Sequence, residues 1–173
     1  GSPRKRYLAL VQGEVREEQF QVIARLAPDP ANPEKFRVVR KRGKESATDF
    51  RVLERFAGFT LLECWPRTGR THQIRVHLAH RNLPVVGDKL YGGAPLWLSR
   101  LKPGYKLRKG EIERPLLERL ALHAESLTIT HPVTGMALEV RAPWPKDLAA
   151  AVKQLRRHAA LHSLPIPPPV GQR

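Results

Sequence analysis

The sequence predicts an α+β fold in which strands come before the first helix. The chain has 173 residues, and a chain of this length can bury roughly 70% of its unfolded surface in one core, so a single domain is sufficient. Short apolar or alternating segments precede residue 66, whereas helical spacing of apolar residues begins only after residue 70. A run of strands followed by helices is typical of an α+β domain.

Five segments before residue 66 have strand character. The first, Tyr7–Val11, is a nearly continuous apolar run, which predicts a strand covered on both faces. The segment 27–35 contains three prolines and is predicted to be a loop, because proline breaks a strand ladder. The remaining predicted strands are Phe20–Ala24, Phe36–Arg40, Ser46–Phe56 and Phe59–Trp65, with Gly58 at the bend of a hairpin between the last two.

The first convincing helix is Thr71–Arg81, with Thr71 as a plausible N-cap and with Asn82 and Pro84 at its end. The segment 99–113 is basic, interrupted by Pro and Gly, and predicted to be a loop. Two later strands form a second hairpin, and an amphipathic helix follows. These elements are Leu122–Thr130, Met136–Val140 and Pro145–Leu161, the helix having Leu148, Val152, Leu155 and Ala159 at helical spacing. The predicted domain spans residues 1–163, and residues 164–173 form a proline-rich tail.

The charge of the chain favours a polyanionic partner. Lys and Arg number 31 against 16 acidic residues, giving a net charge of +15 that is spread along the whole sequence. Nucleic acid is the simplest partner for such a distribution. The sequence has neither a run of 18 apolar residues nor a signal peptide, and its one cysteine, Cys64, lies in an apolar run as a reduced thiol would. We therefore expect a cytoplasmic protein that has no membrane partner.

Arg75 is the residue whose surroundings need an explanation. In the predicted helix it lies between Leu78 and Ala79, on the apolar side with Ile74. An unpaired buried charge costs several kcal/mol, roughly. Three alternatives are open: a salt bridge to Glu63 or Asp88, an arginine that extends to water, or an arginine aimed at a catalytic or substrate anion.

The segment "RTGRTH", residues 67–72, is a candidate phosphate site. It places Arg67, Arg70 and Thr71 at a helix amino terminus, where free backbone amides favour an anion. With the net charge of +15, a phosphate contact is preferred over an ordinary capped helix. A zinc site at His77 and His80 is not favoured, because no acid or cysteine stands at a matching interval.

Beyond these motifs the residues resemble a known family. The stretch "RTGRTHQIRVHLAHRNLPVVGDKLYGG", residues 67–93, resembles the third conserved motif of the RluA-type RNA pseudouridine synthases. The segments "KRYLALVQGEV" and "LALHAESLTITHPVTGMALEVRAPWPKDL" are similar to the strand after the family's catalytic motif and to its closing hairpin and helix. Together these segments cover about residues 6–148.

The resemblance implies an α+β fold with a mixed, mainly antiparallel sheet. It also implies an enzyme that converts uridine to pseudouridine in structured RNA, ribosomal or transfer RNA, without a metal or organic cofactor. Arg75 would be the arginine that pairs with the family's catalytic aspartate, and Tyr7 the active-site tyrosine that packs against the target base. Arg67, Arg70, Thr71, His72 and Gln73 belong to the same motif and would hold the RNA or the motif itself.

One part of the family pattern is missing from this chain. The family's aspartate lies upstream of the tyrosine in a motif resembling His-Arg-Leu-Asp, and no such string occurs here. We therefore expect the C-terminal part of a synthase, inactive alone, whose partner is the missing upstream half or a second copy joined through an exposed sheet edge. The alternatives are a non-catalytic RNA-binding module on the same scaffold and an enzyme in which Asp88 has taken over the chemistry.

Overall fold

The protein is described by a computed structural model, which covers residues 3–161. The predicted tail lies outside these residues. Seven strands and three helices occur in this part of the chain. In chain order they are β1 (Arg4–Gln12), β2 (Gln19–Asp29), β3 (Asn32–Val39), β4 (Lys44–Phe56), β5 (Phe59–Pro66), α1 (Gln73–His80), α2 (Leu98–Leu101), β6 (Leu122–Thr130), β7 (Ala137–Arg141) and α3 (Lys146–His158).

All seven strands belong to one sheet, in the order β3-β2-β4-β5-β1-β6-β7. Each pairing between them is antiparallel. The α+β class predicted from the sequence is confirmed. Strand β1 lies inside the sheet, between β5 and β6, so the sheet edges among the described residues are β3 and β7.

The prediction of a loop at residues 27–35 is wrong. Strand β2 continues to Asp29, and β3 begins at Asn32, with Pro28 opposite Phe36. Strand β2 pairs with β4 only as far as Leu26. Beyond Leu26, β3 is its one neighbouring strand among the described residues. The edge of β2 that faces β4 has no strand partner at Pro28, so the missing amide of this proline breaks no hydrogen bond to β4.

Helix α1 begins two residues later than the sequence predicts. Its N-cap is His72, in the left-handed conformation with φ of 53°, and no side chain caps the helix. Thr71 as N-cap is therefore wrong. The predicted end is confirmed, because Asn82 also adopts a left-handed conformation, with φ of 58°, and terminates the helix.

One side of α1 is fixed to β4 by buried hydrogen bonds. The imidazole of His77 shares a hydrogen bond of 2.9 Å with Thr48 Oγ1 through Nδ1 and one of 2.8 Å with Ser46 Oγ through Nε2. All three side chains are buried. Burial, together with the nearby charge of His80, lowers the pKa of His77 to about 4. The imidazole is therefore neutral in the folded protein at neutral pH.

The core lies around β1, β5 and the helices. Leu8, Ala9, Leu10 and Val11 are wholly buried, as predicted for this strand. The four apolar positions predicted on the last helix are also buried. Cys64 is buried and free, and burial raises the pKa of its thiol. In the described range 3–161, no helix combines the length and apolarity that crossing a bilayer requires.

The buried imidazole predicts a loss of stability in mild acid. Its pKa is about 4 in the folded protein and about 6.5 in an unfolded chain, so unfolded molecules take up the proton first as the pH falls. The contribution of the uncharged His77 imidazole to the free energy of unfolding is fully present above pH 6.5. It declines by about 3 kcal/mol between pH 6.5 and pH 4. Urea unfolding at pH 7.5, 5.5 and 4.5 measures this decline. A His77→Gln variant should have a smaller dependence over the same interval, and equal dependence in the two proteins would contradict the assignment.

Candidate active site

A cavity of about 240 Å³ lies where β1 meets the segment that leads into α1. Tyr7 and Arg75, the two residues predicted to be catalytic, both line it. The other lining residues are Lys5, Pro66, Thr68, Gly69, Arg70, His72, Gln73, Ile74 and Leu122. The fold therefore brings together the aromatic residue and the arginine from distant parts of the chain.

Tyr7 lies at the point where β1 passes from the core to the cavity. The four residues after it are wholly buried, whereas Tyr7 is partly exposed. The register between β1 and β6 shifts between Arg6 and Tyr7, so that Glu125 is an extra residue in β6. Such irregularities bend a strand and change the direction of nearby side chains.

Gln73 fixes the segment between β5 and α1. Its Oε1 accepts hydrogen bonds from Thr68 Oγ1 and from the amide of Arg70, at 2.7 and 3.0 Å. Its Nε2 donates to Ala47 O and to Thr48 Oγ1, both at 2.9 Å. Gln73 is buried and all its polar atoms are used. Gln73 therefore connects the segment before α1 to β4.

Arg75 pairs with Asp88. The guanidinium donates two parallel hydrogen bonds, from Nε to Oδ2 and from Nη2 to Oδ1, both of 2.7 Å. The Asp88 side chain is 1% exposed and that of Arg75 17%. These bonds raise the pKa of Arg75. Of the partners considered from the sequence, Asp88 is the one observed, because Glu63 instead pairs with Arg6 and Arg51.

The turn that carries Asp88 depends on glycine. The Asp88 amide donates to Val85 O at 3.0 Å, and the Gly93 amide donates to Asp88 O at 2.8 Å. A Cβ at position 93 would lie 1.8 Å from Val85 O, and Gly87 has a positive φ of 75°. A side chain at either position would displace the turn, and with it the carboxylate that holds Arg75.

Tyr91 joins the arginine to the first hairpin of the sheet. The guanidinium carbon of Arg75 lies 4.8 Å from the centre of the Tyr91 ring. The Tyr91 hydroxyl accepts a hydrogen bond from the Phe36 amide and shares another with His72 Nδ1, both of 2.9 Å. Burial, and then the charge of Arg75, lowers the pKa of His72. At neutral pH this histidine is therefore an uncharged contact.

The predicted RNA-binding residues differ in how far they face solvent. Arg67, Arg70 and Thr71 are exposed, His72 is half-buried, and Gln73 is buried. Arg67 pairs with Asp49, and Arg70 Nε donates to Glu45 O. A second pocket lies beside the cavity. Its lining includes Thr71 and three basic residues, Arg42, Lys44 and Arg70.

Sequence reasoning missed Tyr91 and Lys5. Tyr91 lies in the quoted motif, three residues after Asp88, and an aromatic residue in a glycine-rich turn was the available signal. Lys5 carried no local signal, because it is one of many basic residues and reaches the cavity only through its place on β1. Among residues 3–161 no cluster of three side chains suited to a metal is found, and His77 is bonded to two hydroxyls.

Replacing Asp88 with Asn should destabilise the fold more than the same change at an exposed ion pair. Asp88→Asn leaves a largely buried guanidinium without its countercharge, which costs roughly 2 to 3 kcal/mol. The matched control is Asp49→Asn, because Asp49 pairs with a guanidinium whose side chain is 65% exposed; its cost should be below about 1 kcal/mol. Urea unfolding at pH 7 compares the two. Equal losses of unfolding free energy in the two variants would show that the ion pair of Arg75 and Asp88 is not desolvated.

Comparison with known proteins gives a consistent result. Residues 1–80 match a family model described as RNA pseudouridylate synthase. The chain is 45% identical over 127 residues to ribosomal large subunit pseudouridine synthase D of Xanthomonas campestris pv. campestris, a match covering 70% of this chain and 35% of the relative. It is 39% identical over 153 residues to the protein of the same name from Nitrosomonas europaea, covering 88% of this chain and 41% of the relative.

Solved structures support the same relationship. Human RNA pseudouridylate synthase domain containing 1 matches with a TM-score of 0.64 and 29% identity, covering 94% of this chain and 62% of that chain. A second human protein, RNA pseudouridylate synthase domain containing 4, is 21% identical with a TM-score of 0.61 and shares the fold. The chain thus spans about two fifths of the length of the curated relatives. By sequence and by fold, the chain belongs to the RluA-type RNA pseudouridine synthase family, of which it represents one part.

Proposed function

We propose that this chain is the part of an RNA pseudouridine synthase that supplies Arg75 and Tyr7, and that it isomerises uridine in structured RNA once an aspartate is added to the site. The observation that carries the proposal is the cavity that both residues line. Its volume of about 240 Å³ is below the range of about 300 to 1,000 Å³ for drug-sized ligands. A single base turned out of its stack is a ligand of suitable size.

The guanidinium of Arg75 has a side available for a second carboxylate. Its Nε and Nη2 bind Asp88, whereas Nη1 makes no hydrogen bond with residues 3–161. The incoming aspartate would accept from this free side and would be kept ionised and oriented by it. Asp88 would then keep the guanidinium fixed, while Tyr7 packs against the base whose bond to the sugar is broken and re-formed through carbon.

The RNA backbone would lie along the exposed motif residues. Arg70 lines the cavity and, with Thr71, Arg42 and Lys44, the pocket beside it. Arg67 is exposed three residues before Arg70. Phosphate contacts of this kind position RNA without reading its sequence. The proposed substrate is therefore structured RNA, and the curated relatives are named for the ribosomal large subunit.

A non-catalytic RNA-binding module is the second candidate, and the Asp88 pair favours it. A buried arginine without an acid would be a liability in a protein that had lost its chemistry. Because Arg75 already has a carboxylate within this chain, it can be retained for stability alone. Asp88 is a poor candidate for displaced chemistry, because its oxygens bind Arg75 and the Tyr91 amide and it does not line the Tyr7 cavity.

Tritium release from RNA labelled at carbon 5 of uridine tests the catalytic proposal. We define the upstream segment as the part of the Xanthomonas campestris relative that precedes its equivalent of β1 and, by the family pattern, contains the aspartate. The chain alone should release no tritium, and the chain fused to this segment should release it. Arg75→Lys in the fusion should reduce release by about 100-fold or more, because the bidentate and electrostatic hold is lost. Absence of release from the fusion, with RNA binding intact, would support the non-catalytic module.

Binding of structured RNA by the isolated chain should weaken steeply with salt. With roughly three phosphate contacts, affinity should fall by about tenfold or more between 50 and 200 mM salt. Arg70→Gln should lower the slope of log affinity against log salt by about 1. Arg156→Gln is the matched control, since Arg156 lies on α3 and pairs with Glu54 of β4, and it should leave the slope unchanged. Fluorescence anisotropy with a labelled hairpin measures these slopes, and binding independent of salt would contradict the proposal.

A further inference from the structure

His72 has a backbone conformation that is uncommon for its residue type. Its φ of 53° lies in the left-handed region, which residues other than glycine adopt only rarely. The side chain makes no capping hydrogen bond to α1, so helix capping does not account for a histidine at this position. Strained backbone conformations of this kind cluster at functional sites. The contacts of the imidazole ring indicate what this function is.

Two aromatic rings hold the imidazole of His72 in place. The centre of the Tyr91 ring lies 5.6 Å from that of the imidazole, and the two ring planes meet at 85°. The corresponding values for Phe36 are 6.1 Å and 77°. Both contacts are edge-to-face arrangements, which are favourable for aromatic pairs. The orientation of the His72 ring is therefore set by β3 and by the turn that carries Asp88.

The Tyr91 hydroxyl determines which nitrogen of His72 carries the proton. Its oxygen accepts a hydrogen bond from the Phe36 amide and lies 2.9 Å from His72 Nδ1. A tyrosine hydroxyl has one hydrogen to donate. Among residues 3–161, His72 Nδ1 is the one acceptor that hydrogen-bonds with this hydroxyl. Tyr91 therefore donates to Nδ1, and the neutral imidazole carries its proton on Nε2.

The surroundings of His72 keep the imidazole uncharged. Burial, and then the positive charge of Arg75, lowers the pKa of His72. A protonated imidazole would also have to donate from Nδ1, where the neutral ring accepts from Tyr91. The guanidinium carbon of Arg75 is held close by, 4.8 Å from the centre of the Tyr91 ring. His72 therefore presents an uncharged N–H group.

This N–H group is available to a ligand in the cavity. Nε2 makes no hydrogen bond with residues 3–161 and is not among the buried unpaired polar atoms of that range. His72 lines the cavity together with Tyr7. Thr68 and Gln73, two further uncharged polar residues of the lining, use their donors in hydrogen bonds inside the protein. The His72 N–H group is thus an uncharged donor without a partner in this part of the chain.

An uncharged donor suits a carbonyl oxygen of a base better than it suits a phosphate. Phosphate oxygens form their stronger hydrogen bonds with charged donors. Lys5 and Arg70 line the same cavity and provide such charges. The cavity therefore contains separate donors for the two parts of a nucleotide, with His72 as the donor for the base.

Uracil offers a carbonyl oxygen in both orientations that the isomerisation requires. The C1′–N1 bond breaks with its electron pair going to the base, a C1′–C5 bond forms, the proton on C5 is released and N1 takes up a proton. Half a turn of uracil about the axis through N3 and C6 exchanges N1 with C5, and it also exchanges O2 with O4. A fixed donor therefore meets a carbonyl oxygen before and after the turn. Cytosine has an amino group in place of O4 and would oppose one donor with another in one of the two orientations.

We infer that His72 donates a hydrogen bond from Nε2 to a carbonyl oxygen of the target uracil, to O2 in one orientation of the base and to O4 in the other. Tyr91 is the positioning residue that keeps the proton on this nitrogen. The inference rests on the proposed function for the identity of the base. The hydrogen bond strengthens as the base takes the electron pair of the broken bond, so it acts on the rate more than on the affinity.

Nitrogen-15 NMR of the chain labelled in its histidines tests the tautomer without RNA. The His72 signals, identified by their loss in His72→Asn, should show an unprotonated Nδ1 and a protonated Nε2 at neutral pH. Tyr91→Phe keeps a ring beside Arg75 but removes the hydroxyl, and it should give a mixture of the two tautomers. A proton on Nδ1 in the wild type, or unchanged His72 signals in Tyr91→Phe, would overturn the inference.

Tritium release from the fusion tests the contact with the base. His72→Asn introduces a residue that tolerates the left-handed conformation but is too short to reach the position of Nε2. It should lower kcat by about 10- to 100-fold and change KM by less than about threefold. His72→Gln can place an amide nitrogen at that position and should recover about tenfold of the loss, although glutamine suits the backbone less well than asparagine. The matched control is His80→Asn, at an exposed histidine of the same helix, and it should leave kcat unchanged.

Nucleotide probes separate this inference from the proposed function. Uridine 5′-monophosphate should shift the Nε2 signal of His72 in the chain, whereas ribose 5-phosphate, which lacks the base, should not. These two results support the contact even if the fusion releases no tritium. An equal shift with ribose 5-phosphate would assign His72 to phosphate and reject the inference, as would the absence of a shift with uridine 5′-monophosphate. Tritium release from the fusion with an unchanged kcat in His72→Asn supports the function and rejects the contact.

Discussion

The attachment of α1 to β4 is the constraint on which the rest of the site depends. Gln73 and His77 are one helical turn apart and lie on the same side of α1, where both bind hydroxyl or carbonyl groups of β4. Arg75 is two residues from each of them. At about 100° per residue it therefore points away from β4, toward the turn that carries Asp88. The direction of the Arg75 side chain is therefore set by the hydrogen bonds that Gln73 and His77 make to β4.

The ion pair with Asp88 fixes the orientation of the Arg75 guanidinium. An arginine held on one side by a carboxylate of its own chain is oriented before any other anion arrives. Preorganised donors of this kind lose little entropy on binding, which is the general advantage of a fixed site. The same pair also stabilises the isolated chain, so retention of Arg75 is compatible with a structural role as well as a catalytic one.

The surface around the cavity is divided by chemistry. Basic side chains from β4 and the segment before α1 lie beside the cavity, and Lys5 on β1 lines the cavity itself. Aliphatic side chains of β6 and β7 are exposed beyond Lys5, which lies opposite Leu127. Nucleic acid and protein make opposite demands on a surface, since phosphates need cations and a buried protein contact needs apolar area. The cavity therefore lies beside both a basic and an aliphatic surface.

The sequence alone determined the α+β class, the buried strand around Tyr7–Val11, the later hairpin and the apolar side of α3, because these follow from local alternation and helical spacing. The resemblance in residues 67–93 identified the family. The extension of β2 past Pro28, the His72 cap and the choice of Asp88 over Glu63 were decided by tertiary structure. A proline is tolerated where one neighbour strand has ended, and an ion pair forms where two distant backbones bring opposite charges together. Both conditions depend on which segments become neighbours in space, and local sequence does not contain that information.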